Sequence, residues 1–249
     1  MFNKRPKVEF FSVLPELTQL APIISARDHK PTWFTKAAKD LGEAAQRPHF
    51  GKQSSSHIAK CPGIANLIKY GWILTTWQDI VITTNGDKQT FKWESALDQS
   101  KYDAPAVSFM GKEMLSDYQG GWDDSLNCII KINTPWRCIV PKGYYLLEGP
   151  VPYSDDTRFT TMPGFFSQEH GVAQLNIQLK WHVLEDKVLI KAGTPIAHYM
   201  LVPKDQPEMS VVNATPEQLE ADRVTALENS RRFVSDSASK KCVFARLFK

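Results

Sequence analysis

The sequence predicts a mainly β protein: a jelly-roll-like antiparallel β-sandwich with two N-terminal helices and a C-terminal amphipathic helix. Three observations carry this. From Trp72 to Val202 the chain is a succession of short β-branched and aromatic runs, separated by Gly, Pro and Asn turn signals. The run at 172–182, VAQLNIQLKWH, alternates cleanly: Ala173, Leu175, Ile177, Leu179 and Trp181 share one face, and Gln174, Asn176, Gln178, Lys180 and His182 the other. The 249 residues are 42% apolar and 23% charged, a globular composition long enough to bury a sizeable core.

Taken in order, residues 8–14 (VEFFSVL) predict a first strand. Residues 31–45 predict a helix, with Pro31 near its start and Ala, Lys and Glu in its body. A polar loop follows over 46–57; Pro62 then opens a short helix that Gly71 is placed to cap. Asn85-Gly86 signals a hairpin with its return strand at 88–93. Further strands are expected at 105–109, 126–133, 136–140, 143–149, 158–161, 172–182, 187–190 and 196–202. Thr215-Pro216-Glu217-Gln218 reads as a capping box opening a helix over 215–234. Residues 1–71 form an N-terminal strand-and-helix portion, 72–205 the sandwich and 206–249 a helix and tail, all as one domain.

Composition narrows the function classes. Thirty basic residues against 27 acidic ones give a net charge of +3, without the basic stripe of a nucleic-acid binder. The N-terminus shows no apolar signal segment, and no run approaches the roughly 20 apolar residues that span a bilayer. A cytoplasmic protein, not secreted and not membrane-bound, is expected. Cys61, Cys128, Cys138 and Cys242 have no disulfide-framework or Cys-x-x-Cys spacing.

No catalytic motif is present. Gly-x-Ser-x-Gly, Gly-x-Gly-x-x-Gly and the phosphate-loop pattern are all missing, and no two histidines stand at metal-pair spacing. No cofactor is expected. A metal would need ligands converging from distant strands, and His170, His182 and His198 are the set that could do so. The polar face of 172–182 is the place for a ligand: Asn176, Lys180 and His182 would line it, with Arg137, Glu148 and Arg158 nearby. Glu148, Asp155, Asp156 and Glu169 bracket Arg158, a pattern that fits a solvated loop with weak ion pairs better than an acid–base pair.

Blocks at 22–34, 60–82 and 143–203, including KCPGIANLIKYGWILTTWQDIVI, GYYLLEGPVPYSDDTRF, LNIQLKW and IKAGTPIAHYMLVPK, resemble a β-sandwich family of unassigned function from bacterial and tailed-phage genomes. The resemblance implies structural motifs and no catalytic residues. A second likeness is to dUTPase-like β folds, through Pro163-Gly164, Asn176 and the run Gly193-Thr194-Pro195-Ile196-Ala197-His198. Where that family's catalytic aspartate is expected, this chain has Gln168 and Glu169, so this likeness implies topology and not dUTP hydrolysis.

The leading expectation is therefore a non-enzymatic phage or viral protein that assembles with itself or with another viral protein. Val224, Leu227 and Val234 on the C-terminal helix, with Phe244 and Phe248 in the tail, form the expected interface. The alternative is a small-molecule binder or metal-dependent enzyme with its site on the polar face of 172–182.

Overall fold

A computed structural model of the chain describes residues 5–29, 31–44, 58–96, 105–115, 122–167, 169 and 171–235. The chain divides into two compact units, Met1–His29 with Lys69–Gln206 and Lys30–Ile68 with Pro207–Lys249. The first unit carries the sheets, and all its described strand pairs are antiparallel. Its strands are β1 (Glu9–Ser12), β2 (Ile24–Ser25), β3 (Trp72–Thr75), β4 (Ile80–Asn85), β5 (Phe91–Ser95), β6 (Val107–Gly111), β7 (Cys128–Ile139), β8 (Tyr144–Gly149), β9 (Phe159–Thr161), β10 (Gly164–Phe166), β11 (Ala173–Trp181), β12 (Glu185–Ile190) and β13 (Pro195–Pro203). A one-turn helix, α1 (Leu17–Leu20), follows β1 and was not expected from the sequence.

Three sheets result. One runs β1-β7-β11-β9, with β6 also on β7; the second runs β10-β8-β13-β3-β2; the third runs β12-β4-β5. From β7 to β13 each strand joins a different sheet from the one before it. The inner faces close on one apolar cluster that includes Ile130, Ile132, Leu175, Ile177, Leu179 and Trp181 from the first sheet. Leu74, Leu146 and Tyr199 of the second sheet and Ile80, Ile82 and Ile190 of the third complete it. Period-2 alternation produces this: on β11 the buried positions are Leu175, Ile177, Leu179 and Trp181, each alternating with a half-exposed residue. Each such side chain contributes roughly 1.5–3 kcal/mol of burial.

Several expected boundaries move, two of them for clear local reasons. The strands anticipated at 126–133 and 136–140 are one strand, β7, which runs straight through Pro135. Proline is accepted because the ladder to β11 is irregular there, passing from Gln174↔Arg137 to Asn176↔Asn133. The Thr134 hydroxyl donates to the Leu175 carbonyl at 2.6 Å and accepts from the Trp136 amide at 3.2 Å, supplying the donor that proline lacks. The return strand of the hairpin starts at Phe91 rather than at Lys88. The Asp87 carboxylate takes the amides of Gln89 and Thr90 at 2.7 and 2.8 Å, holding them in the turn and out of the ladder.

The second unit is helical. α2 (Thr32–Ala44) and α3 (Pro62–Lys69) contribute to an apolar cluster of Phe34, Leu41, Ala59, Ala65 and Ile68. Past the end of α3, Gly71 adopts φ +85°, the left-handed conformation that closes a helix. α4 (Pro216–Ser235) begins with the expected capping box: the Gln218 amide donates to the Thr215 hydroxyl at 3.2 Å, and the Thr215 amide donates to Gln218 Oε1 at 2.8 Å.

Candidate functional site

A shallow, open cleft lies where β9 meets the end of β11, lined by Asp124, Asp156, Thr157, Phe159, Thr160 and His182. The ladder builds it. Thr160 lies opposite Lys180, and Phe159 opposite Trp181 with their rings stacked at 6.3 Å. One residue further, the His182 amide donates to the Arg158 carbonyl at 2.8 Å. The Leu126 amide donates to the Trp181 carbonyl at 2.9 Å, which draws the 122–127 turn, and Asp124 with it, to the strand end.

The polar groups of the cleft are linked. His182 Nε2 stands 2.8 Å from the Thr160 hydroxyl, while Nδ1 stands 3.1 Å from the Asp124 carbonyl and 3.7 Å from its carboxylate. Lys180 Nζ donates to Asp124 Oδ1 at 3.0 Å, and this bond holds the Asp124 carboxyl below its usual range. Arg158 grips Asp156 through Nε at 2.8 Å and Nη2 at 2.6 Å, and its Nη1 reaches the Leu189 carbonyl at 2.7 Å. Burial pushes the Asp156 carboxyl upward, but the Arg158 bonds outweigh it and the net shift is down.

Of the six expected ligand residues, His182 lines the cleft, while Lys180 and Arg158 pair with Asp124 and Asp156, which line it. The other three do not join them. Arg137 sits near the far end of the same ladder, six residues from Lys180 along β11 and so about 20 Å away. Its guanidinium donates to the backbone carbonyls of Thr134 and Trp136, both at 3.1 Å. Asn176 pairs with Asn133 in mid-sheet, and its Oδ1 is buried without a hydrogen-bond partner among the described residues. Glu148 faces the core of the second sheet, because it shares the inward face of β8 with Leu146. Thr160 and Asp124 carry no local signal that could have singled them out; 58 positions separate Asp124 from its partner His182.

Glu148 is chemically unusual. It is 3% exposed and accepts a 2.5 Å bond from the Tyr199 hydroxyl, directly opposite on β13. Burial pushes its carboxyl up to about 7, and the Tyr199 bond offsets only part of that. Burial and then Glu148 itself raise the Cys138 thiol to about 11.

Of the histidines considered for a metal, His170 lies outside the described residues. His182 and His198 belong to different sheets, and each ring has its own partner; His198 Nε2 stands 2.5 Å from the Tyr70 carbonyl. Of the expected interface residues, Val224 is 44% exposed. Leu227 and Val234 lie on α4, but their side chains, like all of Phe244 and Phe248, fall outside the described residues.

No protein-family model matches the chain. No curated protein matches it either. Solved structures similar to it include a dUTPase of Staphylococcus bacteriophage 80alpha in a single-residue variant, with 14% identity over 59% of this chain and 84% of that one, at a TM-score of 0.31. A triple variant of the 80alpha dUTPase with dUpNHpp is 16% identical, covering 59% and 77%, at a TM-score of 0.27. The dUTPase from phage phi11 of S. aureus is 14% identical, covering 55% and 97%, at a TM-score of 0.27. Likenesses this shallow carry no argument about chemistry. No helix among the described residues is long and apolar enough to cross a membrane.

Proposed function

We propose that the chain is a phage or viral protein that self-associates through its C-terminal helix and tail. One observation carries this reading: every residue from Asp205 to Ala226 is exposed, including Met209, Val211, Leu219 and Val224. In proteins most helical stability comes from packing the apolar stripe of an amphipathic face rather than from intrinsic propensity. Val224, Leu227 and Val234 supply the stripe in sequence. Charge favours a second copy as the occupant. Glu217, Glu220 and Asp222 outweigh Arg223 in the first half of the helix, and Arg231 and Arg232 outweigh Glu228 in the second, so an antiparallel pair sets acidic halves against basic ones. The phage-like sequence blocks support a setting in the host cytoplasm or the virion.

Light scattering on the eluting full chain tests this. A dimer is expected, converting to monomer in the double substitution Val224→Asp, Leu227→Asp without loss of β-sheet signal. A wild-type chain that stays monomeric at tens of micromolar refutes it.

A second reading is favoured by the hydrogen-bonded set Thr160, His182 and Asp124 at the cleft, with Lys180 on Asp124. Here the cleft takes a small molecule.

A further inference from the structure

We propose that Thr160 is a nucleophile, with His182 as its general base, acting on neutral acyl esters. This rests on the reading of the cleft as a ligand site. The argument begins with the proton on the imidazole. The Asp124 backbone carbonyl, 3.1 Å from Nδ1, can only accept a hydrogen bond. Nδ1 therefore carries the proton, and in the neutral ring Nε2 is left as an acceptor. Among the described residues the donor at Nε2 is the Thr160 hydroxyl, at 2.8 Å, so the hydroxyl proton points at the base that would remove it. The Asp124 carboxylate, 3.7 Å from Nδ1, lies where the imidazolium formed by that transfer would need a negative charge. A hydroxyl, an imidazole and a carboxylate in this order have the geometry of activated-hydroxyl chemistry, whatever the fold beneath them.

The site is also held in place and open. Antiparallel pairing fixes Thr160 opposite Lys180, which makes His182 its diagonal neighbour on the same face. Thr160 is exposed, as a nucleophile must be. The neighbouring Phe159 turns to the buried face and stacks on Trp181, which fixes the strand that carries Thr160. Both nearby cations are already committed, Lys180 to Asp124 and Arg158 to Asp156. An anionic substrate finds no free counter-charge among the described residues of the cleft, and a neutral ester needs none.

The step balances without a co-reactant other than water. Thr160 Oγ1 bonds to the ester carbonyl carbon while its proton passes to His182 Nε2. The tetrahedral adduct collapses, the bond to the alkoxy oxygen breaks, and the leaving alcohol takes the proton from Nε2. Water, deprotonated by the same nitrogen, then releases the acid and restores the threonine.

The test uses the full chain and p-nitrophenyl acetate, read by p-nitrophenol release and by peptide mass mapping of the acetyl group. The expected result is acetylation at Thr160 that is retained in Thr160→Ser, absent in Thr160→Val, and slowed about 10²-fold or more in His182→Asn. Acetyl groups found only on lysines, or a Thr160 adduct formed at the same rate in His182→Asn, overturns the proposal. The unreactive amide p-nitroacetanilide, titrated while the His182 ring protons are followed by NMR, separates the two layers. Occupancy without acylation removes the nucleophile and keeps the ligand cleft; neither occupancy nor acylation removes both.

Discussion

Replacing Glu148 with Gln isolates the energetic consequence of one buried carboxyl. The group titrates near 4.5 when solvated and at about 7 in the folded chain. Between those values the native state holds a proton that the unfolded state has released. Stability from this group is therefore full below about pH 4.5 and is lost as pH rises toward 7. At about 1.4 kcal/mol per unit, the loss totals about 3 kcal/mol. Glutamine stays neutral at every pH, and its Oε1 can still accept the bond from the Tyr199 hydroxyl. Urea unfolding of both proteins from about pH 5 to about pH 8 gives two curves whose difference cancels the other titrating groups. The difference should move by about 2.5 kcal/mol in favour of Glu148→Gln as pH rises across that range, the rest of the loss falling below about pH 5. A difference that stays flat with pH refutes the reasoning, since it would mean that Glu148 ionises in the native state as readily as in water.

Other outcomes follow from single contacts. A Cβ at Gly71 would stand 2.0 Å from the Tyr199 carbonyl oxygen at a φ of +85°, so Gly71→Ala should cost about 3 kcal/mol or more by chemical denaturation. Thr134→Val strips the Leu175 carbonyl and the Trp136 amide of their partner beside Pro135, for about 2 kcal/mol or more in the same assay. Leu179→Ala, at a fully buried position on β11, should lose about 2–5 kcal/mol, and Val224→Asp should leave the thermal midpoint of the sandwich unchanged while altering the sedimentation profile.

The fold was legible wherever one physical rule acted alone. Strand 172–182 had a period of two and one core to face, so its two sets of side chains separated as read. The capping box at Thr215 and the left-handed Gly71 were readable because each is chemistry between near neighbours. Pro135 misled because its cost as a missing donor is repaired by the hydroxyl of Thr134, a substitution that no composition rule reveals. Glu148 misled because a carboxylate normally marks a solvated position; burial on the inward face of β8 neutralises it, and its hydrogen-bond partner Tyr199 is 51 positions away. The cleft was half legible. Lys180 and His182 announced themselves by alternation on one strand, whereas Thr160 sits on a three-residue strand too short to show a period.

The weaving of the strands between sheets has a consequence for how the molecule is made. β1 closes onto β7, β4 onto β12 and β3 onto β13, whose last residue is Pro203. A ribosome must therefore deliver about four-fifths of the chain before the second sheet has its central member. Until then the β-branched runs of β3 and β4 are exposed edges waiting for partners, the state in which a nascent chain is open to capture by chaperones or by its own neighbours on the same message.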